Sequence, residues 1–153
     1  MAKPFLGGFG KAIFLPSTGD FTTLDGTEIS FDKTQFIPDG SSMPDPEIQT
    51  AAVGNDQSGP TAITVPFELR FNNVDAADAD TLQTSGFDLT PYDVQILDER
   101  EQTEVIIRDV ILQVATKALT EANGYGFVRI VGQGRHLPNA STPTYEITQN
   151  NVT

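Results

Sequence analysis

The sequence predicts a mainly β fold, an antiparallel β-sandwich or partly closed barrel with one short flanking α-helix. Three observations carry this expectation. Residues 61–72, TAITVPFELRFN, alternate apolar and polar side chains with a period of two. Two later stretches, YDVQILD (92–98) and EVIIRDVILQVA (104–115), have strand character and are rich in Val and Ile. The 13 Gly and 10 Pro are spread along the chain as turn punctuation and do not gather in one linker.

A chain of 153 residues suits one domain, and a hydrophobic fraction of 38% with 10 Phe is enough for a core. We divide it into an N-terminal arm (1–20), a β domain (21–135) with a long loop at 38–60, and a polar C-terminal tail (136–153). The arm carries Phe5, Phe9, Ile13, Phe14 and Leu15, which should not all face water. It packs either on its own domain or on a neighbouring subunit.

From Phe21 to Pro38 the pattern reads as a hairpin turning at Asp25-Gly26, where Gly accepts positive φ. Residues 27–37 form its second strand, with Ile29 and Phe31 alternating against Glu28, Ser30 and Asp32. Pro38, Pro44, Pro46 and Pro60 exclude a long helix from the following segment. EIQTAAV (47–53) can form a short strand inside it. The segment is either a disordered surface loop or a splayed hairpin that reaches a neighbour.

In the best strand Ile63, Val65, Phe67, Leu69 and Phe71 share one face, and Thr64, Pro66, Glu68 and Arg70 the other. Pro66 lacks a ladder donor, so an edge or a bulge is expected there. Next comes a short helix capped by Asn73 or Asp75, with a narrow stripe of Val74, Ala77 and Leu82. It should stop near Ser85-Gly86, with Gly as left-handed cap. Tyr92, Val94 and Ile96 then alternate with Asp93 and Gln95, and Asp98 to Glu101 turn the chain. The next strand changes face around Asp109, which indicates a bulge. GYGFVRIVGQGR (124–135) is a last long strand, and Tyr145 to Ile147 a short possible one.

The chemistry-bearing residues are few. His136 is the one His and there is no Cys, so triads built on His and thiolate metal sites lack their parts. Asp75, Asp78 and Asp80 lack the spacing of a calcium loop and read as helix-terminus acids. Asp98, Glu99, Glu101 and Glu104 read as a solvated hairpin tip. GGFGKA (7–12) lacks the phosphate-loop spacing. We therefore expect no enzyme, no cofactor and no metal. No apolar run approaches membrane-spanning length. With 9 basic and 21 acidic side chains the net charge is −12, a surface that repels phosphate.

The stretch ITVPFELRFNNVDAADADTLQTSGF…YDVQILD…EVIIRDVILQVA…GYGFVRIVGQGR resembles phage tail tube proteins, particularly those of contractile tails. Upstream, DGTEISFDKTQFIPDG and PEIQTAAVGNDQSGP resemble that family's opening strand and long inter-strand loop. The likeness spans roughly residues 20–135. It is one of pattern and order, and DEREQT stands where the family's central hairpin has an Asp-Gly turn. The resemblance implies a structural virion protein of the tail, assembled in the host cytoplasm into stacked hexameric rings. It implies a conduit through which DNA passes without specific binding, and sheath, baseplate and tail terminator proteins as partners. On that reading Glu68 and Asp93 are channel-facing acids, and Phe5, Phe9, Met43, Ile48 and Val53 are inter-subunit contacts. Alternatives are a capsid decoration or neck protein and a non-catalytic β-sandwich binding module. The absence of Trp disfavours a sugar-binding module.

Overall fold

The computed structural model describes residues 8–16, 21–52, 58–100, 103–119, 126–136 and 145–149. Its strands are β1 (Phe9–Pro16), β2 (Ile29–Asp32), β3 (Phe36–Ser42), β4 (Glu47–Ala52), β5 (Ser58–Phe71), β6 (Pro91–Asp98), β7 (Thr103–Leu119), β8 (Gly126–His136) and β9 (Tyr145–Gln149). One helix, α1 (Ala76–Phe87), sits between β5 and β6. All strands belong to one antiparallel sheet in the order β2-β1-β6-β7-β8-β5-β3, with β4 added to β5 and β9 to β7. The protein is mainly β with one helix, and the sheet is curled into a half-barrel.

The curl follows from the connection between β2 and β3. They stand at the two ends of the sheet, yet only Lys33, Thr34 and Gln35 join them. A flat seven-strand path with neighbours about 4.8 Å apart could not be bridged by three residues. Asp32 makes the turn by accepting, through Oδ1, from the Thr34 backbone N–H at 2.9 Å. Gln35 then ties the turn to the end of β5, because its carbonyl accepts from Asn72 N–H and its Nε2 donates to the Asn73 carbonyl. The predicted 21–38 hairpin is therefore corrected. Asp25 does form a local turn, accepting from Thr27 N–H, and Gly26 has φ +91°. Residues 21–28 form no strand, and β2 pairs with β1 instead.

Five Phe rings fill the seam where the sheet ends approach. Phe31 of β2 stacks on Phe71 of β5 with centroids 4.3 Å apart. Phe9 of β1 stacks on Phe36 of β3 at 4.1 Å. Phe14 meets Phe31 edge-on at 5.7 Å. Around them Val65, Leu69, Leu82, Val94, Ile107, Leu112 and Ile130 complete a single buried core. The expected inward face of β5 is buried from Val65 to Phe71, with Ile63 half-buried. Residues 9–16, placed in the arm from sequence, form a strand between β2 and β6 with Ala12 to Leu15 buried. Phe5 lies outside the described residues.

Pro66 is in an interior strand but pairs on one side only, with Gln133 of β8, so the expected edge is a local one. The ladder to β4 ends at Thr64 and that to β3 begins again at Glu68. Pro66 occupies the gap between them, so an imino acid is tolerated beside a broken ladder. The bulge near Asp109 is present. Tyr92 pairs with Val110 and Val94 with Ile107, and Asp109 has φ +57°.

The helix cap differs from expectation in an instructive way. Asp75 is the N-cap and accepts from Ala77 N–H at 2.8 Å. At the other end Thr90 N–H donates to the Ser85 carbonyl and Leu89 N–H to the Gly86 carbonyl. This is the Schellman arrangement, and its left-handed position is Leu89, φ +57°. Gly86 is the last-but-one residue of the helix. It is required for close approach, because a Cβ there would run into the carbonyl oxygen of Leu112 on β7.

Candidate functional site

The described surface offers strand edges, an ion-paired patch on β5–β8 and an apolar groove. Among the described residues β2, β3, β4 and β9 each pair with one neighbour only. Their outer edges differ in protection. β2 is four residues long, and β3 carries Pro38 and an interrupted register. β4 (EIQTAA) has no Pro and no Lys, and one charge at its start. Its Ile48 is 68% exposed. With β9 (YEITQ), which also lacks Pro and Lys, it is among the least guarded edges of the sheet.

Two hairpin ends extend past their neighbours. β8 begins to pair with β5 at Ile63, so among the described residues the β4–β5 pairs from Gln49↔Ala62 to Ala52↔Ser58 have no third strand. At the opposite end of β5, Phe71 pairs with Val128. The β7–β8 pairs Ala118↔Phe127 and Leu119↔Gly126 lie beyond it. The two extensions thus leave the sheet in opposite directions along its strands.

Glu68 and Asp93 do not form one surface. Glu68 sits on the outer face of β5, where its Oε1 accepts from Arg129 Nε of β8 and from Arg70 Nη2 at 3.2 Å. One carboxylate between two guanidiniums leaves this patch net positive. Hydrogen bonding from Arg129, reinforced by Arg70 and by both charges, holds the Glu68 carboxyl below its ordinary value of 4.5. The folded value lies below the unfolded one. The pairing therefore contributes fully above about pH 4.5 and is lost as pH falls through the folded value. Glu68→Gln is expected to flatten the fall in melting temperature on acidification below pH 4.5. Asp25 and Asp32, both also lowered by hydrogen bonds from neighbouring Thr residues, leave a residual slope. A pH–melting curve of the variant that overlays the parent would show that the pairing contributes nothing.

Asp93 is 7% exposed, so it is no surface acid in the protomer. The expected wet face of β6 is corrected: Tyr92 to Ile96 are all buried, because β1 and β7 flank the strand. Asp93 Oδ1 accepts from Asp109 N–H at 3.1 Å, which satisfies a donor at the β7 bulge. Exposed acids lie instead in turns and on edges, among them Asp25, Asp39, Asp45, Glu47 and Glu99. Only the turn composition around these positions hinted at that distribution.

The groove, about 350 Å³, opens at the end of the half-barrel where β6 turns into β7. Phe9, Met43, Leu97, Val105, Tyr145 and Ile147 supply most of its apolar wall. Met43 is 41% and Ile147 58% exposed. Phe9 and Met43, predicted as contact residues, come together here, whereas Ile48 stands on β4. Val53 and Phe5 lie outside the described residues, and so does the side chain of His136. Tyr145 and Ile147 reach the groove because β9 pairs with β7 and Arg108 binds Glu146 at 2.9 Å. Nothing in the sequence marked that docking beyond the alternation in YEITQ.

No family model, curated protein or solved structure matches the chain. No helix among the described residues is long and apolar enough to cross a membrane.

Proposed function

We propose that this chain is a structural protein that self-assembles into rings stacked as a hollow tube, the architecture implied by its resemblance to contractile-tail tube proteins. The observation that carries the reading is the pair of hairpin extensions leaving the sheet in opposite directions, beside an unguarded β4 edge. Unpaired backbone N–H and C=O groups on such an edge gain partners when a sister copy adds its own strand, and ring closure consumes them. The extensions then reach along the ring axis.

The conduit role rests on charge. Six copies carry 6 × (−12), about −72, and a wall of that sign repels the DNA backbone so that the polymer slides without sticking. The acids that face it are the exposed turn and edge carboxylates; Asp93 is not among them. Sheath, baseplate and terminator proteins are the partners this reading calls for, in the tail of a virion. Negative-stain microscopy of the purified chain at rising concentration is the test. Rings or tubes are expected, and a species that stays monomeric throughout the series refutes the reading.

A further inference from the structure

We infer that successive rings are joined by an apolar knob, Phe87 and Leu89 of one copy, seated in the groove between Phe9, Met43, Tyr145 and Ile147 of a second copy. This rests on the proposed tube reading and names the contact that stacks it.

Knob and groove lie beyond opposite ends of β6, the knob beside Gln113 and Val114 of β7. Leu89 stands two residues before the first residue of β6, and the groove lies where β6 ends. Eight residues of strand separate them by roughly 25 Å. Patches that far apart on a rigid sheet cannot satisfy each other within one protomer. Between copies they form a head-to-tail contact that repeats without closing, the geometry of a stack.

The knob is costly to an isolated protomer in two separate ways. Phe87 is 79% and Leu89 69% exposed, the two most exposed large apolar side chains among the described residues. Leu89 also holds φ +57° at the Schellman position, where Gly removes the steric penalty. Two unfavourable choices at adjacent points, on a helix end fixed by three backbone hydrogen bonds, indicate a side chain kept for an outside contact. The groove has the matching chemistry, apolar walls, and a volume at the low end of the range for binding pockets.

The chain has no Cys, so engineered thiols report one contact without background. Full-length Leu89→Cys and Ile147→Cys variants are mixed under mild oxidation at a concentration that gives assemblies. The mixture is expected to yield disulfide-linked dimers on non-reducing gels, and neither variant alone should do so. Assemblies without crosslinks, or crosslinks from Leu89→Cys alone, overturn the inference and leave the tube reading standing. Absence of any assembly by the parent chain overturns both. Leu89→Gly gives an independent readout. It should raise the melting temperature of the protomer and raise the concentration needed for assembly by about tenfold or more. Assembly at the parent concentration would also overturn the contact.

Discussion

Phe71→Ala is expected to lower the free energy of unfolding by about 3–5 kcal/mol, the range for a fully buried aromatic residue. Phe71 has no exposed surface. It stacks on Phe31 and lies 5.9 Å from the Phe9 ring and 6.0 Å from the Phe36 ring. Those three rings come from β2, β1 and β3, so truncation removes the common partner of both sheet ends. Each aromatic pairing adds about 0.5–1.5 kcal/mol to simple burial, which places the loss toward the upper end. Urea unfolding measures it as a fall in midpoint at constant slope. A midpoint within error of the parent would mean that the Phe cluster does not hold the curl closed.

Gly86→Ala should destabilise the protein by about 1–3 kcal/mol, opposite in sign to helix propensity. Propensity alone favours Ala over Gly in a helix interior by about 1 kcal/mol. Here the new Cβ would collide with the Leu112 carbonyl oxygen, a backbone atom of an interior strand with no freedom to step aside. The helix must lift from β7, and Ala79 and Leu82, buried in the shared core, lift with it. Thermal unfolding decides the sign. A higher melting temperature would show that α1 does not lie this close to the sheet.

Much of the strand content was legible because alternation is a local consequence of the pleat. Val65, Phe67, Leu69 and Phe71 are buried on one face, as their spacing predicts. The Asp109 bulge was legible for the same reason, since one extra residue inverts the pattern. Alternation failed at β6. Asp93 and Gln95 look like a wet face, and both are buried because β6 is a central strand with its polar atoms engaged. Period two reports which side chains share a face. It does not report whether side chains of the flanking strands, here Ile13, Leu15 and Ile106, cover that face.

The helix shows the same boundary. A cap at Asn73 or Asp75 and a stop near Ser85-Gly86 followed from residue types at fixed offsets; the cap is Asp75 and the helix ends at Phe87. The role of Gly86 did not, because a glycine after a helical run suggests a left-handed cap until the neighbouring strand is known. The candidate site was less legible still. The resemblance named Phe9, Met43 and Ile48 as inter-subunit contacts, yet Tyr145, Ile147, Phe87 and Leu89 complete the surfaces and were not among them.

The sequence by itself determined β5 to β8, the short acidic helix, the bulge and the strongly negative charge, since each depends on neighbours within a few residues. Only the tertiary structure decided that the two outermost strands are joined by three residues, that a Phe cluster closes the seam, and that an apolar knob and an apolar groove stand beyond opposite ends of β6. Those features depend on the pairing of strands distant in the chain, and the free energy that selects one pairing is spread over the whole core rather than written in any one segment.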